Sequence, residues 1–166
     1  NLGGGGGICA RFEDTSGLSL GSLQLSLQAR HDCRRRMSYA SSAAALQGSE
    51  YVSDVAIQKL SDMSVLASSP DFGLLPSEGS AIVDALEADP PVRLASFSIM
   101  GDTYSTTTYR PSHFIGGHHQ RAVSWAHLAM TEDALLTCVT HDGFKEAHLM
   151  KEACETQVAA LKAADL

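Results

Sequence analysis

Histidine is the residue whose type and spacing point most directly to chemistry in this chain. Six of its seven histidines lie between residues 113 and 148. Imidazole binds zinc, copper and iron, and it also acts as a general base near neutral pH. The sequence therefore raises a metal site and a site of proton transfer as possibilities, beside the simpler interpretation that these are surface or helix-cap histidines.

The positions of the histidines depend on the elements that carry them. On a helix, residues 119 and 127 lie on one face, and residues 141 and 148 are about two turns apart. If two such helices form an antiparallel hairpin, their histidine faces meet. We therefore predict a metal-binding or metal-handling protein whose cofactor is a transition metal, copper or zinc. The predicted ligands are His118, His119, His127, His141 and His148.

Other side chains near these histidines could complete a metal site. They are Met130, Cys138, Asp142, Glu152 and Cys154, and a sulfur ligand among them would favour Cu(I) or zinc. The sequence contains no H-E-x-x-H or E-x-x-H motif, so the metal site is one hypothesis among three. Another is a small enzyme that uses one histidine as a general base. The sequence does not identify its catalytic residues.

A short segment of the chain resembles a known family. The stretch HHQRAVSWAHLAM, residues 118–130, is similar to the motif of the DUF305 family, in which a His-His-Gln segment opens a helix. The likeness covers about thirteen residues. It implies a small, mostly helical protein, and some members of that family are associated with copper. The matching residues are His118, His119, Gln120, Ala122, Val123, Ala126, Leu128 and Ala129.

The remaining hypothesis is a non-catalytic accessory or structural subunit of a larger protein assembly. Residues 103–109, TYSTTTY, combine high β propensity with polar side chains, which is typical of an edge strand. A protein partner can complete such an edge with a strand of its own. This hypothesis therefore predicts a protein partner at residues 103–109.

Composition excludes several classes of function. The chain of 166 residues has 12 Lys and Arg against 19 Asp and Glu, a net charge of −7, which argues against nucleic-acid binding. No apolar run approaches the roughly 18 residues of a membrane-spanning helix, so we expect a soluble protein. The four cysteines form no C-x-x-C pair, and we expect mostly buried, free thiols.

The hydrophobic pattern predicts an α+β fold that is mostly helical. Alternating leucines predict an N-terminal strand over about 18–28, and residues 92–110 predict a β-hairpin that turns at Gly101 and Asp102. Three- and four-residue apolar spacing predicts helices over the remaining ranges, which are 38–67 with a break at Gly48 and Ser49, 78–88, 118–130 and 141–166.

We expect one domain. Residues 1–8 contain five consecutive glycines and predict a flexible arm, and residues 9–166 predict a single α+β domain. The chain begins without methionine. This is typical of a processed, mature chain, organellar or exported, or of a sequence that starts internally.

Overall fold

The structure, a computed structural model, describes residues 29, 33, 38–90, 92–111, 113–119, 124–140 and 144–163. The predicted arm (1–8) and the predicted N-terminal strand (18–28) lie outside them. The described residues form three helices and seven strands, in the order α1 (38–47), β1 (Asp54–Lys59), β2 (Val65–Ser68), α2 (Pro76–Glu87), β3 (Ser96–Ile99), β4 (Asp102–Arg110), β5 (Phe114–His119), β6 (Trp125–Met130), β7 (Ala134–Thr140) and α3 (Phe144–Ala163).

The seven strands form one sheet with the order β2-β1-β7-β6-β5-β4-β3. Every neighbouring pair is antiparallel. From β3 to β7 each strand pairs with the next one along the chain, while β1 pairs with β2 on one side and with β7 on the other. The two edge strands are therefore β2 and β3.

Helices cover both faces of this sheet. Side chains of α1 and α3, among them Leu46, Met150 and Cys154, pack with β1, β6 and β7 in one core. Ile82 and Leu86 of α2 pack with β3 to β7 in a second core on the opposite face. The strands β1 and β7 are buried on both faces, which explains why their apolar residues occupy consecutive positions, as in Val55–Ile57, rather than alternate ones.

The expectation of a mostly helical protein is wrong, because strands are as prominent as helices here. Residues 54–59 and 65–67, predicted to be helical, lie in β1 and β2. Of the predicted helix 118–130, the described residues 118–119 and 125–130 form the end of β5 and all of β6. A short apolar run buried on both faces has no period-two alternation, and its spacing also fits a helical stripe. Three of the predicted helical ranges do contain helices: α1 (38–47) occupies the first part of 38–67, α2 covers 78–88 as far as Glu87, and α3 lies within 141–166.

A hairpin is present within residues 92–110, but its turn lies one residue earlier than the predicted Gly101-Asp102, and its predicted edge is wrong. β3 and β4 pair through the two-residue turn Met100-Gly101. Residues 103–109 belong to β4, which pairs with β3 on one side and β5 on the other, so this strand is not an edge. Polar side chains on β4 indicate partial exposure of its faces rather than an open edge.

We expect the substitution Met100→Asn to stabilise the fold. Both turn residues have positive φ, 52° at Met100 and 86° at Gly101, as in a type I′ turn. A left-handed backbone costs an ordinary side chain about 1 kcal/mol, and asparagine tolerates it better. The free energy of unfolding in urea should rise by about 0.5–1 kcal/mol. Met100→Val, with a β-branched side chain, should lower it, and an increase in that variant would contradict the explanation.

A buried glutamine connects β1 to the segment before α2. Gln58 is 1% exposed. Its Nε2 donates to the carbonyl oxygens of Met63 (2.9 Å) and Leu74 (3.0 Å), and its Oε1 accepts from the Leu74 amide at 2.7 Å. The side chain thereby satisfies three backbone groups that pack inside the protein.

We expect Gln58→Leu to lower the free energy of unfolding by about 2 kcal/mol or more, because these backbone groups lose their partners while remaining buried. Chemical denaturation monitored by circular dichroism measures the change. Gln47→Leu is the matched control, because Gln47 is exposed and its side chain makes a bond of 2.9 Å to Ser69 Oγ. If Gln58→Leu and Gln47→Leu lowered the free energy of unfolding equally, the stabilising role assigned to the buried Gln58 side chain would be refuted.

Candidate functional site

A recess of about 370 Å³ lies between the sheet and the N-terminal half of α3. Three adjacent strands form its floor, and one face of the helix forms its wall. The lining residues are Thr107 and Thr108 of β4, Gly116 and Gly117 of β5, Trp125, Ala126 and His127 of β6, and Ala147, His148, Met150 and Lys151 of α3.

A glycine on β5 keeps the floor of the recess open. Gly116 pairs with Thr108 on one side and His127 on the other. A Cβ atom at Gly116 would lie 2.5 Å from Oγ1 of Thr108 and 3.5 Å from Nδ1 of His127. Since the first distance is shorter than a van der Waals contact, any side chain here would displace Thr108 and begin to fill the recess.

His127 lies at the base of the recess and is neutral. It is 2% exposed, and burial, together with the charge of Lys151, lowers its pKa to about 4. Its Nε2 lies 3.9 Å from Oε1 of Glu155. Because burial and Lys151 outweigh this carboxylate, the contact is not an ion pair at neutral pH. Because the imidazole of His127 is neutral, Lys151 rather than His127 supplies positive charge at this part of the recess.

Three charged or titratable side chains of α3 line or border the recess. The side chain of His148 is 71% exposed, and its Nε2 lies 3.1 Å from Oε1 of Glu152, one helical turn further on. Lys151 is half-buried and lines the recess. The recess therefore has apolar walls and a rim of mixed charge, which suits a protein surface better than a small anion.

The structure separates the two adjacent histidines of β5. Successive side chains of a strand point to opposite faces of the sheet. His118 contacts Trp125 on the α3 side, with ring centroids 5.0 Å apart. His119 meets the ring of Tyr104 edge-on at 5.2 Å, and its Nε2 lies 3.6 Å from Oδ1 of Asp102.

The histidines therefore do not gather as the helical hypothesis required. Among the described residues no group of three or more His, Cys, Asp or Glu could hold a metal ion. Of the four predicted ligands that the structure describes, His127 and His148 line the recess and His118 and His119 do not. His141 and Asp142 lie outside the described residues, and binding of copper or zinc by the five predicted ligands stays a prediction.

The cysteines follow the expectation in part. Cys138 of β7 and Cys154 of α3 are free and buried, and burial, with Cys138 beside it, raises the pKa of Cys154 well above its usual value. Both thiols are part of the apolar core in which α3 packs against the sheet. Cys33, in contrast, is disulfide-bonded.

Sequence reasoning missed most residues of the recess. Ala147, Met150 and Lys151 carry no motif, and they become neighbours of β4, β5 and β6 only through the tertiary fold. Two signals were present: the Gly116-Gly117 pair inside an otherwise β-prone segment, which indicates a close approach of other groups, and Trp125, the single tryptophan of the chain.

The profilin family model matches residues 37–166, which is most of the sequence and all of the elements described above. The chain belongs to the profilin family. No curated protein matches the sequence significantly, whereas solved profilin structures match the fold over nearly their whole length.

Three of these profilin structures are informative. Acanthamoeba castellanii profilin IB is 21% identical with a TM-score of 0.64, over 77% of this chain and 99% of that one. LokiProfilin1, solved in complex with rabbit actin, is 12% identical with a TM-score of 0.56, over 74% and 95%. Mouse profilin IIa, solved in complex with a double repeat from the FH1 domain of mDia1, is 13% identical with a TM-score of 0.60, over 76% and 97%.

Membership of the profilin family corrects two predictions. The resemblance of residues 118–130 to the DUF305 family is wrong, since the profilin family model covers this stretch and its described residues 118–119 and 125–130 lie in strands rather than in a helix. The main functional prediction, a metal-handling protein, is wrong for the same reason. None of the described helices has both the length and the apolar character of a membrane span.

Proposed function

We propose that this profilin binds actin. The observation that carries the proposal is the shared fold with LokiProfilin1, which was solved in complex with rabbit actin. The match covers 95% of the LokiProfilin1 chain. Membership of the profilin family supports the same function. The accessory-protein hypothesis, which required a protein partner, comes closer to this function than the metal hypothesis does.

The recess between β4, β5, β6 and α3 is our candidate for the contact with actin. It is concave and mostly apolar, and its rim carries His148, Lys151 and Glu152. Protein interfaces commonly combine an apolar centre with a polar rim of this kind. Strands and a helix hold the site, so a partner meets a preformed surface and loses little free energy in ordering it.

Binding can be tested directly with rabbit actin under non-polymerising conditions. We expect sedimentation velocity to show a one-to-one complex at micromolar concentrations, and elongation of actin filaments to slow as the free monomer is bound. Absence of a complex at concentrations well above the micromolar range would contradict the proposal. Unfolded protein would give the same result, so circular dichroism of each preparation is the required control.

A second candidate is binding of an FH1-type repeat, for which mouse profilin IIa in its complex is the precedent. The partly exposed ring pair of His118 and Trp125 favours it, because extended peptides often dock on aromatic side chains. Trp125 is the only tryptophan, so titration with the mDia1 double repeat should change the fluorescence of the protein. An unchanged spectrum together with no heat of binding would exclude this candidate.

A further inference from the structure

Cys138 of β7 and Cys154 of α3 are free thiols that meet between the helix and the sheet. Both residues are 0% exposed, and the thiol of Cys154 forms a hydrogen bond with the sulfur of Cys138. Neither residue lines the recess assigned to actin. Two thiols in contact are therefore a reactive group that the proposed function leaves unused.

The two thiols lie directly behind the recess. Cys138 is the cross-strand neighbour of His127, and directly opposite residues share one face of a sheet. His127 lines the recess. On α3, Cys154 follows Met150 and Lys151 by four and three residues, which places it one turn further along the same side of the helix, and both of these residues line the recess. A change in the distance between Cys138 and Cys154 therefore reaches both the floor and the wall of the recess.

A disulfide between these sulfur atoms changes the position of α3. A disulfide bond is about 2.05 Å long, with Cβ atoms about 3.8 Å apart, and sulfur atoms joined by a hydrogen bond are farther from each other than this. Hydrogen-bonded ladders to β1 and β6 hold β7 in place, whereas α3 rests on the sheet through side-chain packing. The helix is therefore the element that moves, and the recess narrows with it.

Contact between the thiols also favours the disulfide once an oxidant is present. A thiol fixed beside its partner meets it at an effective concentration well above that of a dissolved thiol. The dithiol and the disulfide are both uncharged, so burial penalises neither form. Burial raises the pKa of the Cys154 thiol, and because the thiolate is the attacking species, this slows the exchange without changing its equilibrium.

We propose that Cys138 and Cys154 are a reversible redox pair, whose disulfide draws α3 toward β7 and narrows the recess. The oxidant is a small disulfide of the glutathione class. One cysteine, as the thiolate, attacks its S–S bond, so that a mixed disulfide forms and one glutathione leaves as a thiolate that takes up a proton. The other cysteine, deprotonated in turn, attacks the protein sulfur of the mixed disulfide and releases the second glutathione. The consequence for actin rests on the proposed function.

Formation of the disulfide is tested in the full chain with Cys9→Ser and Cys33→Ser, which retains only the two thiols of the pair. Refolding from urea in glutathione buffers of known redox ratio removes burial as a limit on the rate. After alkylation, mass spectrometry should show an intramolecular disulfide, where Cys154→Ala on the same background shows only a mixed disulfide. A mixed disulfide in both proteins, or linked dimers, would overturn the proposal. Peptide mapping of the unmodified chain gives the same readout if the serine substitutions impair folding.

The effect on the recess is measured at Trp125, the only tryptophan, which lines it. Oxidation of the pair should reduce acrylamide quenching of its fluorescence and weaken the binding of rabbit actin several-fold, and dithiothreitol should restore both. Cys154→Ala should show neither response. A disulfide that leaves quenching and actin affinity unchanged would refute the coupling to the recess. If the reduced protein does not bind actin, the proposed function fails, while the disulfide and the quenching still decide this inference.

Discussion

Ala147→Phe is expected to weaken the binding of actin by about tenfold or more, since a bulky side chain in the centre of an interface excludes the partner. Ala147 is half-buried in the first half of α3 and lines the recess beside Trp125 and Met150. A phenyl ring at this position projects into the recess. The dissociation constant from sedimentation or calorimetry with rabbit actin is the measurement.

The control for this variant uses the same substitution on the same helix. Ala159 is exposed in the second half of α3, away from the recess, and Ala159→Phe should bind actin like the unmodified protein. If both variants bind normally, the recess is not the contact, although the function itself would stand. If both lose binding equally, the effect comes from α3 as a whole.

The parts of the fold that local signals specify could be predicted from the sequence. α2 begins at Pro76, where Glu78 reaches back to the Leu75 amide, and it ends before the Asp89-Pro90-Pro91 segment. The β3–β4 hairpin has a glycine in its turn between β-branched and aromatic residues. Signals of this kind act within a few residues, so they can be recognised in the sequence without knowledge of the tertiary structure.

The central strands could not be predicted in the same way. The four residues Val55 to Gln58 are buried, because helices cover both faces of the sheet. Their burial removes the alternation that identifies a strand, and only the tertiary arrangement shows that the segment lies between two layers. Gln58 is an example: its polar side chain can be buried because its amide group forms hydrogen bonds with the backbone of Met63 and Leu74, and these partners are known only from the tertiary structure.

The site was missed for a related reason. The prediction grouped histidines as if residues 118–130 were a helix, and a helix would place His119 and His127 together. In the sheet, His119 lies on the α2 face and His127 on the α3 face. The recess instead combines two or more residues from each of four elements between residues 107 and 151, and a motif search along the chain does not detect such a set.

Acidification is expected to destabilise the protein through His127. Its pKa is about 4 in the folded state, against an ordinary value of 6.5. Above the ordinary value the imidazole is neutral in both states. As the pH falls from about 6.5 to about 4, the unfolded chain takes up a proton that the folded chain does not, so the free energy of unfolding decreases, by about 3 kcal/mol at most.

Urea denaturation at several values between about pH 7 and about pH 4.5 measures this effect as a slope. His127→Gln, which has a neutral side chain of similar size, should be less stable at neutral pH but should lose most of the slope in this window. His148→Gln is the matched control, because its side chain is 71% exposed, and this variant should retain the slope. If His127→Gln retains it as well, carboxylates rather than this buried imidazole govern the response to acid.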